Sequence, residues 1–182
     1  MTISGLDYKH NHIYSNGIMF ENHRYLTSFK GKNDIRRLEK ILQNAIKEGN
    51  FAPFGDAGFY ALSPTANALY ITYHSFFHFL IEGITLRHLL DWALFVKAEQ
   101  DTIDWIRFYS ICDDLGFSRF ANTLNAIAAD VWGISLANPG MSFDRCLLDR
   151  VLDDVLAQRR HVSGLPLYKR RPLLICNMSV SY

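Results

Sequence analysis

One segment constrains the fold more than any other. Between Ser63-Pro64 and Gly83 the chain is apolar on almost every side of a helical wheel, through Leu69, Tyr70, Ile71, Tyr73, Phe76, Phe77, Phe79, Leu80 and Ile81. A helix hydrophobic all round has to be buried inside a protein or a membrane. His74, His78 and Glu82 interrupt this stretch, which suits a buried core helix rather than a membrane span. Ser63 is a good cap and Pro64 a good first-turn residue, so the helix is expected over 64–82 with a stop at Gly83. A central helix of this kind needs others packed around it.

Those others are legible from spacing. Asn33 starts a helix to about Glu48, with Ile35, Leu38, Ile41, Leu42 and Ala45 as its apolar stripe and Gly49 after it. Thr85 caps a helix whose buried stripe is Leu86, Leu89, Leu90, Ala93 and Leu94. Further helices are expected over 103–115, over 119–132 behind Ser118, and from Phe143 to Leu156. Residues 50–62, with Pro53, Gly55 and Gly58, read as a loop.

The N-terminal region reads differently. Ser15-Asn16-Gly17 lies between two alternating runs, and Asn-Gly is a strong two-residue hairpin signal because both residues tolerate positive φ. Counting outward from that turn, Tyr14 pairs with Met19, His12 with Glu21, and His10 with His23. Residues two apart share a face, so His10, His12, Glu21 and His23 fall together, and Ile13, Ile18, Phe20 and Leu26 form an opposite face able to meet a core. The expected class is α+β, mainly α, a β-hairpin over 10–28 followed by a helical bundle over 33–160. Residues 1–160 are expected as one domain and 161–182 as an irregular tail.

Composition excludes several classes. The 182 residues are 49% hydrophobic and 20% charged, with a formal net charge of +1. Such a balance gives no bulk attraction to nucleic acid or acidic membranes. The run Lys169-Arg170-Arg171 is an ordinary solvated patch without other basic clusters, so neither a nucleic-acid nor a membrane partner is expected. Cys112, Cys146 and Cys176 are far apart and form no Cys-x-x-Cys, so a reducing, cytoplasmic setting is expected. There is no Gly-x-Gly-x-x-Gly, Walker-type loop or Gly-x-Ser-x-Gly.

Two constellations carry candidate chemistry. His10, His12, Glu21 and His23 are competent ligands for a divalent metal; the same residues also suit a polar, solvated sheet face. His74 and His78 lie four apart on one helix, and Arg87 and Asp91 four apart on the next. The short Gly83-Ile84 connection brings these helices side by side. The ordinary reading is core histidines beside a partly buried ion pair; histidines at this spacing can also bind zinc, although Ser75 and Phe76 follow His74 and no His-Glu-x-x-His is present.

The residues resemble a known family. Leu62-Ser63-Pro64, Asn67-Ala68-Leu69-Tyr70, His74, His78, Glu82-Gly83-Ile84, Leu86-Arg87, Leu90 and Asp91-Trp92-Ala93-Leu94 are similar to a signature of the uncharacterised bacterial nucleotidyltransferase family. Gly17-Ile18-Met19-Phe20-Glu21-Asn22-His23 resembles that family's Gly-to-His strand. The resemblance covers residues 10 to about 135. It implies a small mixed sheet with helices and transfer of a nucleoside monophosphate from a nucleoside triphosphate to an unidentified acceptor, with magnesium as the metal. Glu21 matches the third metal-binding carboxylate and His23 a family histidine. Arg87, His74 and His78 are expected near the nucleotide.

The sequence departs from the pattern in one respect. The family's Gly-Ser and Asp-x-Asp, which supply the first two carboxylates, occur nowhere in this chain. The resemblance therefore implies a C-terminal portion, inactive or incomplete alone, that needs an N-terminal segment or partner chain. Two alternatives stand beside it: a non-catalytic helical module that binds a partner, and a mononuclear metal site on the hairpin.

Overall fold

A computed structural model of the chain describes residues 2–6, 10–27, 33–49, 51–53, 60–136 and 143–156. The order of elements is β1 (Thr2–Leu6), β2 (His10–Ser15), β3 (Ile18–His23), α1 (Asn33–Lys47), β4 (Phe51–Pro53), β5 (Tyr60–Leu62), α2 (Pro64–Phe77), a π-helical turn (His78–Glu82), α3 (Leu86–Glu99), α4 (Trp105–Asp114), α5 (Ser118–Trp132) and α6 (Arg145–Leu156). This is the α+β, mainly helical class expected. The chain divides into two compact units, Met1–Phe51 and Ala52–Tyr182.

In the first unit Asn16 and Gly17 adopt φ of 51° and 77°, the left-handed values of a tight hairpin turn. The turn fixes the register: Ser15 opposes Ile18, Tyr14 opposes Met19, His12 opposes Glu21 and His10 opposes His23. Every pairing expected from the Asn-Gly turn is present. β1 was not anticipated. It pairs antiparallel with β2 and completes a three-stranded sheet in the order β1-β2-β3. Its five residues include Ser4 and Gly5 and lack a clean alternation, so they give little strand signal.

The apolar face of the hairpin departs from expectation. Ile18 is 59% exposed and Phe20 52%, rather than packed into a core. Alternation decides which side chains share a face, not whether another element covers it. In α1, Leu38, Leu42 and Ala45 are buried as expected, and so is Glu39.

β4 and β5 form a two-stranded sheet where a loop was expected. Each has three residues, too few for periodicity to register. The largest fully buried side chains of the second unit are Trp92, Phe79, Phe108, Phe120, Leu69, Leu89, Leu124, Ile127, Val96 and Val151. They come from α2, the π-helical turn, α3, α4, α5 and α6, so each helical element lends the core at least one. One buried polar chain is fully partnered: Trp92 Nε1 donates to Asn125 Oδ1 at 2.9 Å, and Asn125 Nδ2 donates to Tyr109 Oη at 2.9 Å. Burial pushes the Tyr109 hydroxyl up to about 12, against the opposing pull of its Asn125 hydrogen bond. Burial likewise raises the Cys112 thiol, so Cys112 behaves as a small apolar filler.

Among the described residues no helix is long and apolar enough to cross a membrane. Cys112 and Cys146 are free thiols. Cys176 and the basic run Lys169-Arg170-Arg171 lie outside the described residues.

Candidate functional site

Among the described residues, the corner between α2 and α3 brings three ligand-competent side chains together. The helix that starts at Pro64 keeps α-helical bonding only to Phe77 and then widens into a π-helical turn over His78–Glu82. Gly83 N–H closes that turn on the carbonyl of His78 at 2.6 Å. Gly83 has φ of 104°, open to glycine and strained for other residues. This explains why the stop falls at that glycine. The next residue, Ile84, donates its N–H to Asp154 Oδ2 at 3.0 Å, which pins the corner to α6.

Beyond the corner, Thr85 and His88 form a capping box at the start of α3. Thr85 N–H donates to His88 Nδ1 at 3.1 Å, and Thr85 Oγ1 lies 2.9 Å from the same nitrogen. This box aims the His88 ring back across the corner. His88 then meets His78, with ring centroids 4.3 Å apart, and His74 at 5.5 Å, while His74 and His78 are 4.5 Å apart. Tyr70 stacks on the far side of His74 at 5.8 Å, and Phe77 meets His78 edge-on at 6.2 Å. One ligand nitrogen from each histidine lies within 4.8 Å of the other two. His74 is exposed; His78 and His88 are half-buried.

The sequence reading singled out His74 and His78 but not His88. Its signal was present as Thr85-x-x-His88, with a histidine at the helix position where Glu or Gln commonly completes a capping box. The Arg87–Asp91 pair is formed, at 3.7 Å, but the expectation of a partly buried pair is corrected: the side chains are 86% and 55% exposed. Both lie on the solvent side of α3, whereas Leu89, Trp92, Ala93 and Val96 face inward. The rings of His74 and His78 both meet that of His88.

In the first unit, the hairpin register sets the backbone of His12 opposite Glu21 and that of His10 opposite His23. His12 is half-buried and His23 exposed. The side chains of His10 and Glu21 lie outside the described residues. The chemistry of this set is clear from its composition. Magnesium takes oxygen ligands and keeps near-ideal octahedral geometry. Two-metal phosphoryl chemistry needs several such ligands. The four hairpin positions offer one carboxylate and three imidazoles, so these residues do not fit a two-magnesium centre.

The hairpin and helices α1 to α5 fall within a match to a known family. A family model described as uncharacterised nucleotidyltransferase matches residues 2–133. Neither the curated proteins nor the solved structures contain a match to this chain. The match spans both the hairpin and the histidine corner, and the chain belongs to this nucleotidyltransferase family.

Proposed function

We propose that this member of the nucleotidyltransferase family serves a reaction in which a nucleoside monophosphate passes from a nucleoside triphosphate to an acceptor. In such a transfer an acceptor oxygen attacks the α-phosphorus and pyrophosphate leaves. Glu21 is the residue we assign to the catalytic centre, with His12, His10 and His23 beside it on the strand pair. Arg87 is assigned to a nucleotide contact. The observation that carries this reading is the His12–Glu21 register inside the region that the family model matches.

By this reading the chain is incomplete alone. It contains no Gly-Ser and no Asp-x-Asp, and one carboxylate does not supply the ligands of a two-metal centre. The missing acids come from another polypeptide segment. Among the described residues β3 pairs on one side only, with β2, and Ile18 and Phe20 are more than half exposed. An unpaired strand edge beside exposed apolar side chains is a natural place for a further strand to add. The test is incorporation of labelled nucleotide into acceptor, the protein itself included, with and without a neighbouring coding segment that bears Gly-Ser and Asp-x-Asp. Expected are no transfer alone, transfer with the segment, and loss in Glu21→Gln.

A further inference from the structure

We infer that His74, His78 and His88 form a binding site for one Zn²⁺ ion, separate from the carboxylate-based chemistry assigned to the hairpin. Three imidazoles from two helices converge, with their ligand nitrogens within 4.8 Å of one another. A tetrahedral zinc ion with Zn–N bonds of about 2.0–2.1 Å holds its nitrogens roughly 3.3 Å apart. Metal binding would draw the three nitrogens from within 4.8 Å to that separation. Imidazole suits zinc, copper and nickel, while magnesium prefers oxygen. The ligand set therefore selects a late first-row ion, and zinc adapts most readily because it has no electronic preference in geometry. Three protein ligands leave a fourth position for water, and the exposure of His74 gives the ion an entry path.

One neighbouring hydroxyl is placed to orient a ligand ring. Metal-bound histidines usually donate the other ring nitrogen to an oxygen, which sets ring orientation. Here Thr85 Oγ1 lies 2.9 Å from His88 Nδ1. When His88 ligates through Nε2, its proton resides on Nδ1 and the Thr85 hydroxyl accepts it. The N–H bond from Thr85 to Nδ1 is then given up, so metal binding and the capping box share one ring. The π-helical turn places His78 at the corner itself; such turns recur at functional positions. The Gly83–His78 and Ile84–Asp154 hydrogen bonds tie down that corner.

The experiment uses the full chain, stripped with chelator and titrated with ZnCl₂ by calorimetry, with Co²⁺ absorption as a report on geometry. Expected is one equivalent of zinc with Kd of about 10 µM or tighter, tetrahedral cobalt bands, and no heat with MgCl₂. His74→Gln, at an exposed position that folding tolerates, and His88→Ala each raise the zinc Kd at least ~10-fold, and Thr85→Val raises it by about 10–100-fold. The double variant His12→Ala/His23→Ala leaves it unchanged. Absence of zinc binding by the chelator-stripped protein overturns the inference, as does a Kd indifferent to His74→Gln and His88→Ala in variants with native circular dichroism. Loss of binding in the hairpin double variant also overturns it. None of these outcomes depends on nucleotide transfer, so the site and the proposed reaction fail separately.

Discussion

Thr27 donates both its backbone N–H and its hydroxyl to Glu39 Oε2, each at 2.7 Å. The other carboxylate oxygen accepts Leu26 N–H at 3.2 Å and Gln43 Nε2 at 2.8 Å. The segment leaving β3 is thus tied to α1 by one buried side chain. A carboxylate that accepts several N–H and O–H groups is a strong acceptor, and removing it orphans buried donors.

Glu39→Ala is expected to destabilise the first unit by about 1–3 kcal/mol, the usual cost of leaving a buried donor unsatisfied. The check is amide hydrogen exchange at Leu26 and Thr27, which should lose protection, while Glu39→Gln, which retains one acceptor oxygen, loses less of it. Unchanged exchange in Glu39→Ala would mean that the loop is held by other contacts.

The start of α6 carries a pH-dependent contribution. Asp144 Oδ1 accepts Leu147 N–H at 3.2 Å, and its other oxygen pairs with Arg119. Desolvation pushes the Asp144 carboxyl up, but the Leu147 hydrogen bond and the Arg119 guanidinium outweigh it and hold the group below its ordinary value of 3.8. The folded state therefore binds this proton less readily than the unfolded state. The resulting stability is present in full above the unfolded value and is lost as pH falls through the lower folded one. Asp144→Ala should cost about 0.5–2 kcal/mol at pH 7, as loss of an N-cap does, and Asp144→Asn less. Urea melts at pH 7 and near pH 2 check this: the gap between Asp144→Ala and the parent narrows in acid.

The exposed Arg87–Asp91 pair gives the opposite expectation. Surface pairs on a helix contribute about 0.3–0.5 kcal/mol. Asp91→Ala should lower the melting temperature by no more than about 2 °C, and salt should erase the difference. A fall of 10 °C would show that the charge is needed in the core of the corner.

Much of this architecture was legible in the sequence, for identifiable reasons. Asn16-Gly17 requires positive φ at two adjacent residues, which leaves one turn and one register, so the His12–Glu21 pairing followed directly. The buried stripe of α1 and the stop at Gly83 were legible in the same way. What escaped notice depends on tertiary context. Glu39 sits within the polar pattern of α1, and only the neighbouring loop makes it a buried acceptor. His88 reads as a surface residue until the capping box turns its ring toward His78. The π-helical turn has no residue signature of its own. The exposure of Ile18 and Phe20 depends on what covers the sheet, which no alternation pattern states.

The most direct test of the transferase reading is the labelled-nucleotide assay with Glu21→Gln as its control. The isolated chain should incorporate no label, because one carboxylate does not make a two-metal centre. Adding the segment that bears Gly-Ser and Asp-x-Asp, joined or as a separate chain, should produce transfer, and Glu21→Gln should abolish it. Robust transfer by the isolated chain that survives Glu21→Gln would contradict the account and place the active centre elsewhere.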